Sequence, residues 1–260
     1  MSSSPTRFTS GFTQDASYQP LGNIGIPDPF FYCYYEDDFV PYNSALYTAT
    51  LDGGTVAQTT STGGANVGGR VTLTTAAAAS DYVTLQTTSA ALQYTATHKL
   101  FYSCRIQLAA IAGTGFIVGL LNAGATDPFA TITDGIYISY TAGGTTMTLT
   151  AVTGSVSVGT ASIPVAPVNT TDIDLAFVVD RLGNILVYAG NQLFGNKTYQ
   201  YENLAEYGAV AKLYSQNATA GTNIMTGAIT SALLNPTIAV STTAAAETLI
   251  ADFQAAGFER

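Results

Sequence analysis

Asp172-Ile-Asp-Leu-Ala-Phe-Val-Val-Asp-Arg-Leu-Gly-Asn-Ile-Leu-Val-Tyr-Ala-Gly-Asn-Gln-Leu-Phe194 decides the reading of the fold. Ile173, Leu175, Phe177 and Val179 alternate with Asp172, Asp174, Ala176 and Val178. That is the period of a strand with one buried face. Asp180-Arg-Leu-Gly-Asn184 follows, with a Gly and an Asn that tolerate positive φ, and it reads as a reversal. Ile185, Val187 and Ala189 resume the alternation. Gly190-Asn191 reads as a second tight turn, with Leu193 and Phe194 beyond it. The stretch predicts an antiparallel meander with two short reversals. Its β-branched residues and paired turn signals argue against a core helix.

The same grammar extends in both directions. Gly135–Tyr140 and Thr146–Val152 predict a hairpin around Gly143-Gly144, with Ile136, Ile138 and Tyr140 in phase with Met147, Leu149 and Ala151. Leu100–Leu108 predicts a central strand. Phe116–Leu121 is apolar throughout, as in a strand covered on both faces. Further strands are expected at Tyr42–Leu51, Thr55–Thr60, Arg70–Thr74, Asp81–Gln86, Ser155–Val165, Ile238–Val240 and Thr248–Phe253. Residues 197–235 read as a loop region, with a helical turn over Glu202–Tyr214. Phe101, Ile106, Val118, Leu149, Phe177, Val179, Ile185 and Val187 are the expected core. Turn signals at regular short spacing, with no linker between the pieces, imply one all-β domain, a two-sheet antiparallel β-sandwich or jelly roll.

Composition narrows the function classes. The chain is 47% hydrophobic and 10% charged, against about 25% charged in ordinary soluble domains. A net charge of -9 repels nucleic acid and anionic lipid, so neither is expected as a partner. Met1–Arg7 is polar with no apolar segment behind it, and no run of about 18 apolar residues occurs. The expectation is a cytosol-made protein without a membrane span. Cys33 and Cys104 then read as two reduced thiols, and the sequons at Asn169, Asn196 and Asn217 as chance matches.

Residues 1–36 read as an extended N-terminal arm, and 37–260 as the sandwich domain. Pro20, Pro27 and Pro29 bar the arm from central strands. Its aromatics are too apolar for a plain linker. Arg7, Phe8, Phe12, Tyr18, Phe30, Phe31, Tyr32 and Tyr34 are the candidate docking residues. The arm either docks on its own domain or reaches a neighbouring subunit.

Catalytic and metal chemistry find little footing. The Glu-x-Asp-x-x-Glu strand of retaining jelly-roll glucanases is absent. Glu36, Asp37 and Asp38 are consecutive, so alternation sends neighbours to opposite faces. Glu202 and Glu206 would share a face only on a helix. His98 is the single histidine and is expected in an exposed loop. Two cysteines cannot make a four-cysteine zinc site. Asp127, Asp134, Asp180 and Asn184 offer oxygens for calcium, but turn roles account for them. A sugar site usually stacks an aromatic on the sugar; there is no Trp, and Tyr or Phe would have to substitute. No catalytic residue, metal or cofactor is expected.

The order of certain pieces carries a resemblance. Asp37-Asp-Phe39 precedes a first strand, followed by Phe116-Ile-Val-Gly-Leu120 and Thr133-Asp-Gly-Ile-Tyr137. Then come Asp174–Asp180 with Gly183–Tyr188, and Asn235-Pro-Thr-Ile238 leading to Leu249–Phe253 and Glu259-Arg260. Together these resemble the concanavalin-A-like jelly rolls of tailed-phage virion proteins, including capsid decoration (cement) proteins. The resemblance implies a last strand, Leu249–Phe253, lying beside Tyr42–Leu51. It also implies a structural protein on the exterior of a phage head, made in the host cytoplasm. Its partners would be the major capsid protein and other copies of itself. A glycan-binding module of a tail or head fibre is the alternative.

Overall fold

The computed structural model describes residues 32–39, 42–59, 69–88, 92–93, 98–122, 124, 127–180, 183–191, 211–213 and 233–259. These form two antiparallel sheets packed face to face. The strands are β1 (Tyr32–Asp37), β2 (Tyr47–Leu51), β3 (Thr55–Thr59), β4 (Arg70–Thr74), β5 (Tyr82–Thr87), β6 (Leu100–Leu108), β7 (Thr114–Asn122), β8 (Gly135–Tyr140), β9 (Met147–Thr153), β10 (Val156–Ile163), β11 (Asp172–Val179), β12 (Ile185–Asn191), β13 (Ala211–Leu213), β14 (Leu234–Thr242) and β15 (Thr248–Glu259). The first sheet runs β13-β12-β11-β6-β15-β4-β3, with β1 also on β15. The second runs β10-β9-β8-β7-β14-β5-β2. Among the described residues the only helical element is a 3₁₀ turn at Ser44–Leu46.

Alternation decides which residues enter the space between the sheets. Ile173, Leu175, Phe177 and Val179 of β11 meet Leu100, Tyr102, Cys104 and Ile106 of β6 in one core. Tyr102 stacks on Phe177 at 5.5 Å between ring centroids, and Phe116 on Tyr140 at 5.8 Å. β7 is buried along nearly its whole length, since Phe129 and Ile132 from the segment before β8 close over its outer residues Ile117 and Leu121. All eight expected core residues are buried. Phe101 is buried on the outer face of the first sheet, beside Ala176, Val178 and Tyr188, and not between the sheets.

The β11–β12 hairpin closes as the sequence predicts. The Asn184 N–H donates to Asp180 Oδ1 at 2.9 Å, and Gly183 takes φ +79°. The second turn is not at Gly190-Asn191, because β12 runs through both and pairs them with Asp174 and Ile173. Residues 211–213, placed in a helical turn, form β13; the rest of Glu202–Tyr214 lies outside the described residues. β14 starts at Leu234, inside the expected loop region. The larger correction concerns the start of the sandwich. β1 begins at Tyr32 and pairs with β15 from Tyr32↔Glu259 to Asp37↔Gln254. The sheet therefore starts before residue 37. β15 lies beside Tyr32–Asp37, whereas Tyr47–Leu51 pairs with β5 in the other sheet.

Gly119 marks the closest approach inside the second sheet. A Cβ there would lie 2.4 Å from the Ile136 carbonyl oxygen and 2.6 Å from Tyr137 Cα. Backbone cannot yield cheaply, so Gly119→Ala should destabilise by about 1–3 kcal/mol or more. Phe177→Ala, which empties the stacking partner of Tyr102, should cost about 3–5 kcal/mol. Urea unfolding followed by circular dichroism checks both. Midpoints equal to wild type would contradict this packing.

Candidate functional site

The outer face of the first sheet divides into two halves. Toward one end Phe101, Ala176, Val178 and Tyr188 are buried. Toward the other, the outward positions of β4, β6, β11 and β15 carry the ion pairs of the described residues. Arg70 Nη2 lies 3.0 Å from Asp172 Oδ2, and its Nε lies 3.5 Å from Asp252 Oδ1. Arg105 grips Asp174 through Nε at 2.6 Å and Nη2 at 3.3 Å, and reaches Asp252 Oδ2 at 3.5 Å. Gln107 Nε2 donates to Asp172 Oδ1 at 3.2 Å and to the Thr170 carbonyl at 3.0 Å. These charged side chains are 12–24% exposed, so the face is open to a partner yet fixed in geometry.

A β-bulge assembles this cluster. β15 slips by one residue against β6 between Ala251 and Phe253. Asp252 is the extra residue, and it meets both arginines. Phe253, opposite Arg105, then shares the partly exposed face. Bulges commonly re-aim a side chain in this way. Arg105 with Asp174 is the fork-on-carboxylate geometry that strengthens an ion pair.

A second polar cluster joins the sheets. β1 carries Tyr35 inward from the first sheet and β2 carries Tyr47 inward from the second; their hydroxyls hydrogen-bond. The Tyr47 hydroxyl also donates to Asp37 Oδ2 at 2.5 Å, and the Phe39 N–H donates to Asp37 Oδ1 at 2.7 Å. Phe39, fully buried at φ +55°, plugs the crossing and packs on Tyr42 and Tyr47. Burial raises the Tyr35 and Tyr47 hydroxyls well above the usual phenol range, and the Asp37 carboxylate adds to the rise.

The sequence candidates fall as follows. Arg7, Phe8, Phe12, Tyr18, Phe30, Phe31, Glu202 and Glu206 lie outside the described residues. Tyr32 and Tyr34 belong to β1. Asp37 is tied into the crossing between the sheets. His98 is partly buried just before β6. Asp127 accepts the N–H groups of Phe129 and Ala130, Asp134 accepts that of Gly154, and Asp180 holds Asn184. These are turn roles. Among the described residues no group of three or more His, Cys, Asp or Glu could hold a metal ion. The ion-paired face was not singled out from the sequence. Its signals were there as outward positions, in Asp172 and Asp174 of the opening stretch and Arg105 of the central strand. What brings them together is strand order. Cys104 is free and buried; in the register of the sheet Cys33 of β1 pairs with Phe258 on one side of β15, and Cys104 of β6 pairs with Gln254 on the other. A whole strand separates the two, beyond the roughly 7 Å Cα limit for a disulfide.

No family model matches the sequence, and no curated protein matches it. Solved structures do match the fold. The endo-1,3-β-glucanase of Streptomyces sioyaensis is 16% identical with TM-score 0.55, over 87% of this chain and 96% of that one. The globular domain of T. cruzi calreticulin is 9% identical with TM-score 0.56, over 86% of each chain. The potassium-bound carbohydrate recognition domain of Emp46p is 8% identical with TM-score 0.51, over 85% of this chain and 94% of that one. The chain thus shares with these structures the fold of a two-sheet antiparallel β-sandwich, a jelly roll of the concanavalin-A-like kind.

The buried phenols and thiol set an alkaline limit. Burial also raises Tyr102, and pushes the Cys104 thiol up to about 12. An unfolded chain loses these protons near pH 8.5–10, while the folded chain keeps them. The folded state therefore binds more protons above that range, and stability falls as pH rises through it. Stability should be flat from pH 6 to about 8.5 and decline beyond about pH 9–10. Phenolate absorbance should show a late class that titrates only with unfolding. A single class with ordinary pKa would contradict the burial of Tyr35, Tyr47 and Tyr102.

Proposed function

We propose that the chain is a non-catalytic glycan-binding sandwich that reads sugar hydroxyls on the ion-paired face of the first sheet. The observation that carries this reading is the fixed, partly exposed cluster of Arg70, Arg105, Asp172, Asp174, Asp252 and Gln107. Sugar hydroxyls both donate and accept. Here guanidinium and amide donors alternate with carboxylate acceptors, and mutual ion pairing holds them in place before any ligand arrives. Little side-chain entropy is then lost on binding. Phe253 beside Arg105 supplies apolar surface for the C–H face of a sugar. Asp172 and Asp174 share a face, two residues apart on β11, but each is engaged by an arginine, which favours recognition over hydrolysis. The likeness to a carbohydrate recognition domain and to a glucanase supports the same class of ligand. An open face of this kind suits modest affinity, roughly millimolar to micromolar.

A glycan array probed with the full chain tests this. Binding to one class of glycan is expected, weakened at least about tenfold by Arg105→Met, equal to about 1.4 kcal/mol. A melting curve of the variant separates lost recognition from lost folding. An array with no bound glycan, or binding unaffected by Arg105→Met in a folded variant, rejects the reading.

A second reading, capsid decoration, is favoured by the way the aromatic N-terminal segment enters the sandwich, through a strand bonded to the last strand of the chain. In this reading the protein sits on the outside of a tailed-phage head and bridges major capsid subunits, with Arg7, Phe8, Phe12, Tyr18, Phe30 and Phe31 as anchors. Deleting residues 1–29 keeps β1 intact. The truncated chain should fold with nearly unchanged melting temperature but bind undecorated heads at least roughly tenfold more weakly. Normal decoration by the truncated chain would sink the anchoring role. A virion with only a handful of copies would sink decoration itself.

A further inference from the structure

We infer that the sugars read on the ion-paired face carry a protonated amine, and that Asp252 is the group that receives it. The inference deepens the glycan reading and rests on it. In the cluster two guanidiniums face three carboxylates, which leaves one negative charge over. The geometry locates that charge. Asp172 accepts from Arg70 Nη2 at 3.0 Å and from Gln107 Nε2 at 3.2 Å. Asp174 accepts from Arg105 at 2.6 Å and 3.3 Å. Asp252 lies between the two arginines and is held closely by neither. Its Oδ1 is 3.5 Å from Arg70 Nε, and its Oδ2 is 3.5 Å from Arg105 Nη1. Among the described residues no shorter hydrogen bond reaches its carboxylate. Arg70 Nε is itself buried without a hydrogen-bond partner. An ionised carboxylate can accept about four hydrogen bonds, so most of the capacity of Asp252 is unused.

That capacity is open to a partner. Asp252 is the extra residue of the bulge, and its side chain is 20% exposed. Glu36 lies on the same outer face, because its neighbours Tyr35 and Asp37 turn inward toward Tyr47. It is exposed and pairs in register with Ala255, just along β15. A ligand group that fits here brings donors and positive charge together. An ammonium has three N–H donors and no acceptor, and its bonds to a carboxylate are charge-assisted. A hydroxyl brings one donor and no charge. A carboxylated, sulfated or phosphorylated sugar is opposed. Both guanidiniums are committed to aspartates, and the chain's net charge of -9 repels anions while gathering cations. The ligand class is therefore an amino sugar with a free amine, whose hydroxyls meet Arg105, Asp174 and Gln107.

A glycan array of matched sets, probed with the full chain, tests this. Each oligosaccharide is printed with a free amine, with that amine acetylated, and with a hydroxyl in its place, beside acidic glycans. At about 20 mM salt the free-amine member should bind at least roughly tenfold more tightly than its two counterparts. At about 500 mM salt, where exposed charges are screened within a few ångströms, the gap should shrink to about twofold or less. Asp252→Asn should bring the free-amine and hydroxyl members to about equal affinity. A melting curve shows whether that variant folds; where it does not, the wild-type preference and its salt dependence decide alone. Three results overturn the amine inference and leave the glycan reading standing: neutral or acidic members bound as tightly as the free amine, a preference unmoved by salt, or a preference that a folded Asp252→Asn variant keeps. An array on which no member binds overturns both.

Discussion

The first sheet depends on strand β15 finding hydrogen-bond partners along both of its sides. Its residues pair with β6 from Leu249 to Phe258. On the other side β4 covers only Thr248–Ala251. Buried backbone N–H and C=O groups must be paired, and Gln254, Ala255, Ala256 and Gly257 are buried. β1 supplies the missing ladder, from Asp37↔Gln254 to Tyr32↔Glu259. Tyr32–Asp37 is thus drawn into the sandwich by what the last strand requires. The Tyr35–Tyr47–Asp37 cluster then fastens that strand to the opposite sheet. The two ends of the described chain lie against one another, so the fold is closed by its most distant residues.

How much of this was legible follows from the range of each signal. The β8–β9 and β11–β12 hairpins combine strict alternation with a local turn, and both lie where the sequence puts them. Gly190-Asn191 misled because turn propensity is local, whereas β12 continues as far as β11 offers partners. Tyr32–Asp37 was read as arm because nearby prolines and crowded aromatics obscure any period. Its strand character is set by a partner more than two hundred residues away. The ion-paired face was hidden for the same reason. Arg70, Arg105, Asp172, Asp174 and Asp252 come from four strands, and the bulge that adds Asp252 leaves no mark on the sequence pattern.

That face stands out against the chain's general poverty in charge. Elsewhere the outward positions are mostly threonine, serine, glycine and alanine. Ion pairs at such partial burial contribute modestly, since desolvation offsets much of the Coulomb gain. Apolar or small polar residues would pack the same strands at least as well. Stability alone thus gives little reason to place two arginines and three aspartates together. A fixed mosaic of donors and acceptors does have a use where a hydroxyl-rich partner must be met without rearrangement.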